Sequence, residues 1–417
     1  MDIRKRILHA NQKAVDRIIH SNPVWVDVLP AVECVEGLTD HMVLHSGPPI
    51  EFKDMCYLHK RGMVSGALFE GWAKDEKEAV AMLEAGEIKV DSALNHNTVG
   101  AGTGIITKSI TMNVIEDKAT MVRVATFPAE GPCEGGLCGW GLYNPRIADN
   151  LRYMREELFP TIQELIRKRG GLAIKPILAE SMQCGDENHT RQTVADLLYD
   201  KQILPDLIEM DIPKETILKV MHYILDTPRF FHCYGQGASY AALLGAVGTD
   251  YSTMVISACG NGIEFGIQVA GLPGQWFTAP APMMKGRYTS SKFTEKDQLP
   301  WIGDSCVVGC AGMGGFAAAA SPIVCNLRGM TAQEAVAQTR EMEHISIAKN
   351  PNFSIPALDF DFLPVGIDIR LVLKSGILPI IHGGMFNHEG GLIGAGMARV
   401  PMKCFEKAMK SFAIKYR

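Results

Sequence analysis

Hydrophobic residues keep a mostly helical period from residue 150 to residue 226. On both sides of that block the period breaks into short apolar runs separated by clustered glycines. Inside the block, Leu151, Met154, Leu158, Ile162, Leu165 and Ile166 fall on one helix face, and Gly170-Gly171 ends it. A second stripe, Ile217, Leu218, Met221, Ile224 and Leu225, is opened by Asp211 and Pro213. Before the block, Ile3, Ile7, Leu8, Val15, Ile18 and Ile19 mark an amphipathic first helix that stops at Asn22-Pro23. Val24, Val26 and Val28 then alternate with Trp25 and Asp27, the period of a strand. Asp75 with Glu78 predicts a capped helix running to Gly86, and residues 90–124 read mainly as β structure. After the block, strands are expected at 252–258, 263–270 and 365–372. Thr331 with Glu334 predicts a helix to about His344, and a last helix spans about 402–413. The fold class is therefore α+β, with two α/β parts (1–145 and 229–417) flanking a mainly helical middle (146–228). A length of 417 residues fits roughly two to three domains.

Composition excludes several classes. Forty-one basic and 46 acidic residues give a net charge of −5, with no basic stripe, so no nucleic-acid partner is expected. At 47% hydrophobic and 21% charged, the chain is not a disordered one. No apolar run approaches the ~20 residues of a membrane span. The most apolar stretch, 307–327, is interrupted by Gly309, Gly312, Gly314, Gly315 and Pro322 and reads as a buried element. The first twenty residues lack the apolar core of an export signal. The eleven cysteines are accordingly expected as reduced thiols in a cytoplasm. No CxxC pair occurs. Cys133/Cys138 and Cys306/Cys310 lack a second pair at zinc-site spacing, so no metal and no cofactor is expected.

Chemistry concentrates where polar residues sit among glycines, which permit tight turns and close backbone approach. The segment Asn95-His96-Asn97 leads into a loop with Gly102 and Gly104 whose free N–H groups suit an anion; it is neither a Walker loop nor GxGxxG. Asp186, Glu187, His189 and Arg191 lie within six residues, before a helix starting near Arg191. One capping side chain would suffice there, whereas an Arg beside two carboxylates and an imidazole suits recognition of an anionic group. Asn261-Gly262 reads as a hairpin turn, with Glu264 next to it. Asp304 and Ser305 precede Gly314 and an alanine-rich run, a possible helix-terminal anion site. His382 and His388 flank another glycine pair. The glycine clusters near 100, 260, 314 and 394 are expected to converge on one cleft.

The order of these segments carries a resemblance. LHSGPPI at 44–50, GALFEGWA at 66–73, GDENHTR at 185–191, NGIEFGI at 261–267, WFTAP at 276–280, IGDS at 302–305, GMGGFAAAASPIV at 312–324 and GLIGAGMA at 391–398 resemble the YlbE-like family, which includes YlbE and YahG. One branch, also called AllG, is implicated as a subunit of oxamate carbamoyltransferase, beside an FdrA-like protein and a third subunit. Gly260 stands where the family pattern carries an Arg, which bears on the anion these loops would hold. The resemblance implies a subunit of a cytosolic homo- or hetero-oligomer that moves a carbamoyl or acyl group onto a small nitrogenous carboxylate. Such transfer needs anion binding, oxyanion stabilisation and orientation of an amide nucleophile. On this reading His96, Asp186, Glu187 and His189 are the candidate catalytic groups. Asn95, Asn97, Gly102, Gly104, Arg191, Asn261, Glu264, Asp304, Ser305, Gly314, His382 and His388 are the candidate substrate contacts. A free-standing hydrolase or lyase built on the Asp/Glu/His clusters, or a non-catalytic assembly subunit, are the alternatives.

Overall fold

The computed structural model describes residues 2–131 and 135–417, so the expected role of Cys133 lies outside the described residues. The first helix, Ile3–Ile19, buries Ile7, Ala10, Asn11, Ala14, Val15 and Ile18. Ile3 and Leu8 of the expected stripe are exposed. The buried face is rotated because Asn11 takes a core position. Its amide donates to Thr253 Oγ1 (2.8 Å) and Asp368 Oδ2 (3.0 Å) and accepts from the Thr253 N–H (2.8 Å), which satisfies a polar group that apolar patterning overlooks.

The strand Pro23–Pro30 is an interior strand of a five-stranded sheet, ordered Thr98–Val99, Arg123–Thr126, Thr111–Asp117, Pro23–Pro30, Leu172–Ala173. A bulge between Trp25 and Asp27 breaks the expected alternation, so Trp25 and Val28 are both buried. A second sheet runs Phe277–Pro280, Glu264–Val269, Val255–Asn261, Ile302–Gly303. A third runs Lys285–Tyr288, Leu392–Arg399, Ile380–Phe386. Two small pairs complete the mixed α+β architecture: Ser346–Ile355 with Asp361–Ile367, and Met42–His45 parallel to Lys89–Ser92.

Residues 145–226 carry the helices Pro145–Tyr153, Phe159–Arg169, Lys175–Gln183, Thr193–Ile208 and Lys214–Asp226, interrupted by the strand Leu172–Ala173 that joins the first sheet. The first two are joined by a π-helical turn, Met154–Leu158, and all six residues of their predicted stripe are buried. In Lys214–Asp226 the buried face is Val220, Tyr223 and Ile224, and Leu218 and Leu225 point outward. The next helix, His232–Leu244, crosses the first sheet. A side chain at Gly237 would press on Ile115 and Thr126, so glycine there sets the close approach.

Capping follows the sequence. Asp75 Oδ1 accepts from the Glu78 N–H (2.9 Å) at the start of Glu76–Ala85, and Thr331 with Glu334 forms a full capping box on Ala332–Glu343. The expected strand at 365–372 ends at Ile367, because Asp368 caps a new helix, Ile369–Ser375, by accepting from the Arg370 N–H. The alanine-rich run is a buried 3-10 segment, Gly314–Ala320, kinked at Ala317. It offers no open helix terminus, and the Gly314 N–H is already donated to the Glu187 carbonyl (2.8 Å). One hydrophobic core includes Val15, Trp25, Leu158, Ile166, Phe265 and Phe405, so apolar contact is continuous along the chain.

Candidate active-site cleft

A cleft of about 380 Å³ opens where glycine-rich turns from distant parts of the chain meet. Its walls are Ala101-Gly102, Phe127–Gly131 with Gly135–Trp140, His189-Thr190, Thr227–Cys233, Trp301–Ser305 and the hairpin around Gly383 and Gly394. Gly102 has φ 57°, and a Cβ there would collide with the Gly139 carbonyl oxygen. Gly303 packs against the Gly102 backbone, Gly260 against Trp301, and Gly314 against the His189 side chain. The four glycine clusters thus line or back one cavity. Two larger recesses, about 460 Å³ beside Arg17 with His9 and His20 on its wall, and about 560 Å³ beside Gln338, share none of the cleft's lining residues.

The polar groups of the cleft come from two junctions. At one, His189 and His232 stack with ring centroids 6.0 Å apart at 20°. Burial, with the charges of Arg328 and Arg229 beside it, pushes His189 down to about 3. Burial and Arg229 likewise hold His232 well below the usual range, so both rings are neutral near pH 7. Gln192, itself buried, donates its Nε2–H groups to the His189 carbonyl (2.6 Å) and to His232 Nδ1 (2.9 Å). Arg229 stands at the mouth in a left-handed conformation, φ 58°. Its guanidinium makes no hydrogen bond or ion pair among the described residues. Burial lowers its basicity, opposed by the charges of Asp196 and Glu187.

At the other junction, Arg328 is buried and donates to the Gly396 carbonyl (3.1 Å), the Val324 carbonyl (3.2 Å) and Thr190 Oγ1 (2.7 Å). Glu187 accepts from the Thr190 and Arg191 N–H groups through Oε1, and its buried Oε2 has no hydrogen-bond partner among the described residues. Burial raises its pKa, with Arg328 opposing. Glu130 accepts from the Cys138 and Gly139 N–H groups, 2.9 Å each, and burial raises its pKa too. It braces the turn that meets Gly102.

The predicted residues fall into separate groups. His189, Gly102 and Ser305 line the cleft, with Glu187 and Gly314 behind His189. Asp186 caps Thr193–Ile208, accepting from the Val194 and Ala195 N–H groups (2.8 and 2.9 Å). Arg191 pairs with Asp186 through Nε (3.2 Å) and is not a cleft-lining residue. Asn188 takes φ 60° and ties back to Ser181 and Leu178. His96 lies outside the cleft, bonded to the Glu36 carbonyl and to Asp91 Oδ2 (3.1 Å). That Asp91 bond raises its pKa. Asn95 holds Asp91 and Trp276, and Asn97 holds Glu36. Gly104 packs on Ser46.

Asn261 makes the hairpin turn, accepting from the Ile263 and Glu264 N–H groups, while Glu264 accepts from Thr278. Asp304 is buried under the cleft and accepts from the Gly47 and Gly100 N–H groups. His382 is buried against Gln338 (2.9 Å), and burial holds it well below its usual pKa. His388 is on an exposed turn. Sequence reading passed over Glu130, Thr190, Arg229, His232 and Arg328. Arg229 and His232, three apart at the opening of a glycine-containing helix, left a faint signal, whereas Arg328 left none. Cys138, Cys306 and Cys310 are buried free thiols. Among the described residues no cluster of three or more His, Cys, Asp or Glu is arranged to hold a metal ion.

Comparison with known proteins gives consistent results. The family model described as oxamate carbamoyltransferase subunit AllG matches residues 88–305. The uncharacterized protein YahG of Escherichia coli strain K12 is 35% identical over 414 residues, covering 99% of this chain and 87% of that protein. The oxamate carbamoyltransferase subunit AllG of the same strain is 33% identical over 412 residues, 98% of each. A crystal structure of a conserved protein of unknown function from Enterococcus faecalis V583 superposes with a TM-score of 0.96 at 31% identity over the whole of both chains. With a family match over more than half its length and full-length relatives above 30% identity, the chain belongs to the AllG family.

Proposed function

We propose that this chain is a subunit of a cytoplasmic carbamoyl-transfer complex of the oxamate carbamoyltransferase kind, and that the cleft holds a small nitrogenous carboxylate. The observation that carries the reading is Arg229. It is a cation with no hydrogen bond or ion pair among the described residues, in a strained left-handed conformation, beside two imidazoles that burial keeps uncharged. Strain of this kind collects at functional positions, and a free guanidinium suits a carboxylate or phosphate. In the transfer, the amide nitrogen of the acceptor attacks the carbamoyl carbon of carbamoyl phosphate. The new C–N bond forms, the C–O bond to phosphate breaks, and the nitrogen's proton leaves to a base. The departing phosphate is the base at hand, since His189, pushed down to about 3, is too weak a base for this step near pH 7. His232, which lines the cleft, would offer a donor to the developing oxyanion. The partners would be an FdrA-like subunit and a third subunit, in a homo- or hetero-oligomer.

The test is reconstitution with those two subunits and measurement of phosphate release from carbamoyl phosphate when oxamate is supplied. Acceptor-dependent release is expected, with a loss of at least tenfold in Arg229→Ala, the scale of one charge-assisted hydrogen bond. A complex that assembles but releases no phosphate with oxamate would reject the reading.

A further inference from the structure

Two cleft side chains, His232 and Thr190, are each able to give or to accept a hydrogen bond, and each is held by a residue outside the cleft lining. We propose that Gln192 fixes His232 as a donor and that Arg328 leaves the Thr190 hydroxyl proton free for the cleft, so that the cleft favours a ligand group that only accepts: a carboxylate or phosphoryl oxygen. This deepens the reading above by naming the recognised chemistry. It rests on the cleft being the ligand site and not on which group is transferred.

The case for His232 starts at the His189 carbonyl. That carbonyl can only accept, and Gln192 Nε2 lies 2.6 Å from it, so the amide nitrogen must face it. The same nitrogen lies 2.9 Å from His232 Nδ1. An amide N–H can only donate, so Nδ1 must accept, and the proton of the neutral ring is left on Nε2. The reverse setting of the amide would bring two acceptors together at His189, so the chain itself decides the tautomer. The charged and titratable groups facing His232 are Arg229 and His189; a cation and a neutral ring both discourage a second proton.

The case for Thr190 follows the same logic. Arg328 Nη2 donates to Thr190 Oγ1 at 2.7 Å. The guanidinium has no acceptor capacity, so the hydroxyl oxygen accepts and its own proton is free to turn into the cleft. With Arg229 at the mouth, three independent donors face the cavity. A ligand amide N–H presented to His232 would meet a second donor, and the buried mismatch would count against it.

The experiment uses the full chain carrying 15N-labelled histidine, with the His232 signal assigned by its loss in His232→Gln. Wild type is expected to show an unprotonated Nδ1 and a protonated Nε2. In Gln192→Glu the carboxylate accepts, so Nδ1 becomes protonated. Gln192→Met removes the amide without adding charge and is expected to give mixed tautomers, which keeps the test readable if Gln192→Glu does not fold. Calorimetric titrations use oxamate and, separately, inorganic phosphate. Gln192→Glu and Thr190→Val are each expected to weaken the bound probe about tenfold, and Thr190→Ser to restore it. Binding of oxamate alone assigns a carboxylate site, and binding of phosphate alone a phosphoryl site. A wild-type His232 protonated at Nδ1, undiminished binding in the folded variants, or no binding of either probe overturns the proposal. None of these readouts needs turnover. A reconstituted complex that fails to transfer a carbamoyl group, beside the expected tautomer and probe binding, therefore counts against the proposed function alone.

Discussion

Replacing Asp304 by alanine should destabilise the protein by an amount that shrinks as pH rises. Asp304 is fully buried. One carboxyl oxygen accepts from the Gly47 N–H at 2.6 Å and the other from the Gly100 N–H at 3.2 Å. Alanine leaves two buried donors without partners, at roughly 1–3 kcal/mol each, so about 4 kcal/mol while the native carboxyl is neutral. Burial pushes Asp304 up to about 7, against an unfolded value of about 3.9. The sign follows from linkage. Between those two values the unfolded chain has released the proton and the folded chain has kept it, so each pH unit favours unfolding by about 1.4 kcal/mol. The stabilisation is complete below about 4 and has gone above about 7. Between pH 5 and pH 7 the gap between wild type and Asp304→Ala should therefore narrow by about 3 kcal/mol. At about 2.1 cal/mol/K per residue the unfolding entropy is roughly 0.9 kcal/mol/K, so the difference in Tm should close by about 3 °C. Scanning calorimetry of both proteins at pH 5, 6, 7 and 8 measures it. A Tm difference that stays constant or widens with pH would refute the reasoning.

Three further outcomes are expected. Gly102→Ala should reduce affinity for oxamate or phosphate by at least tenfold, since its Cβ drives the 101–104 turn off the Gly139 carbonyl; calorimetric affinity equal to wild type would show that the wall is pliant. Arg229→Ala and Arg191→Ala should separate: the first weakens anion binding with little change in Tm, because Arg229 makes no hydrogen bond or ion pair among the described residues, and the second lowers Tm while binding stays within about twofold, because Arg191 partners buried Asp186. The opposite pattern would return Arg191 to the ligand. Thr331→Ala removes a capping box at about 1 kcal/mol, so Tm should fall by about 1 °C with probe affinity unchanged, and a larger fall would mean the helix start is coupled to the core.

Local signals in the sequence were read well where one short segment decides the outcome. Asp75, Thr331 and Gly86 cap helices through bonds to residues three or four away. Asn261-Gly262 turns a hairpin whose acceptor is its own side chain. Failures came where a distant partner overrides the local pattern. Asn11 enters the core because Thr253 and Asp368 satisfy it, which rotates the first helix. The bulge at Trp25 puts Trp25 and Val28 on the buried side, where strict alternation would have separated them. The 365–372 run is mostly apolar, yet Asp368 offers a cap and the strand yields to a helix.

The same distinction explains the candidate site. The density of charge at 186–191 was visible, but density alone does not say which member faces a ligand. Asp186 turned out to satisfy the helix behind it, and Arg191 to satisfy Asp186. His189 and Thr190 are what remain for the cleft, since their backbone neighbours absorb the charges. Their counterparts come from elsewhere: Arg229 and His232 forty residues on, and Arg328 about 140 residues on. Glycine is what brings these segments together. Gly102 and Gly303 let their turns meet backbone to backbone, and Gly314 lets its turn close on the His189 side chain, so the polar groups on their flanks converge. A cleft assembled this way has no compact motif. What a sequence can show is the pattern of glycine beside polar residues, and the donor or acceptor role of each group is settled only by its partner in space.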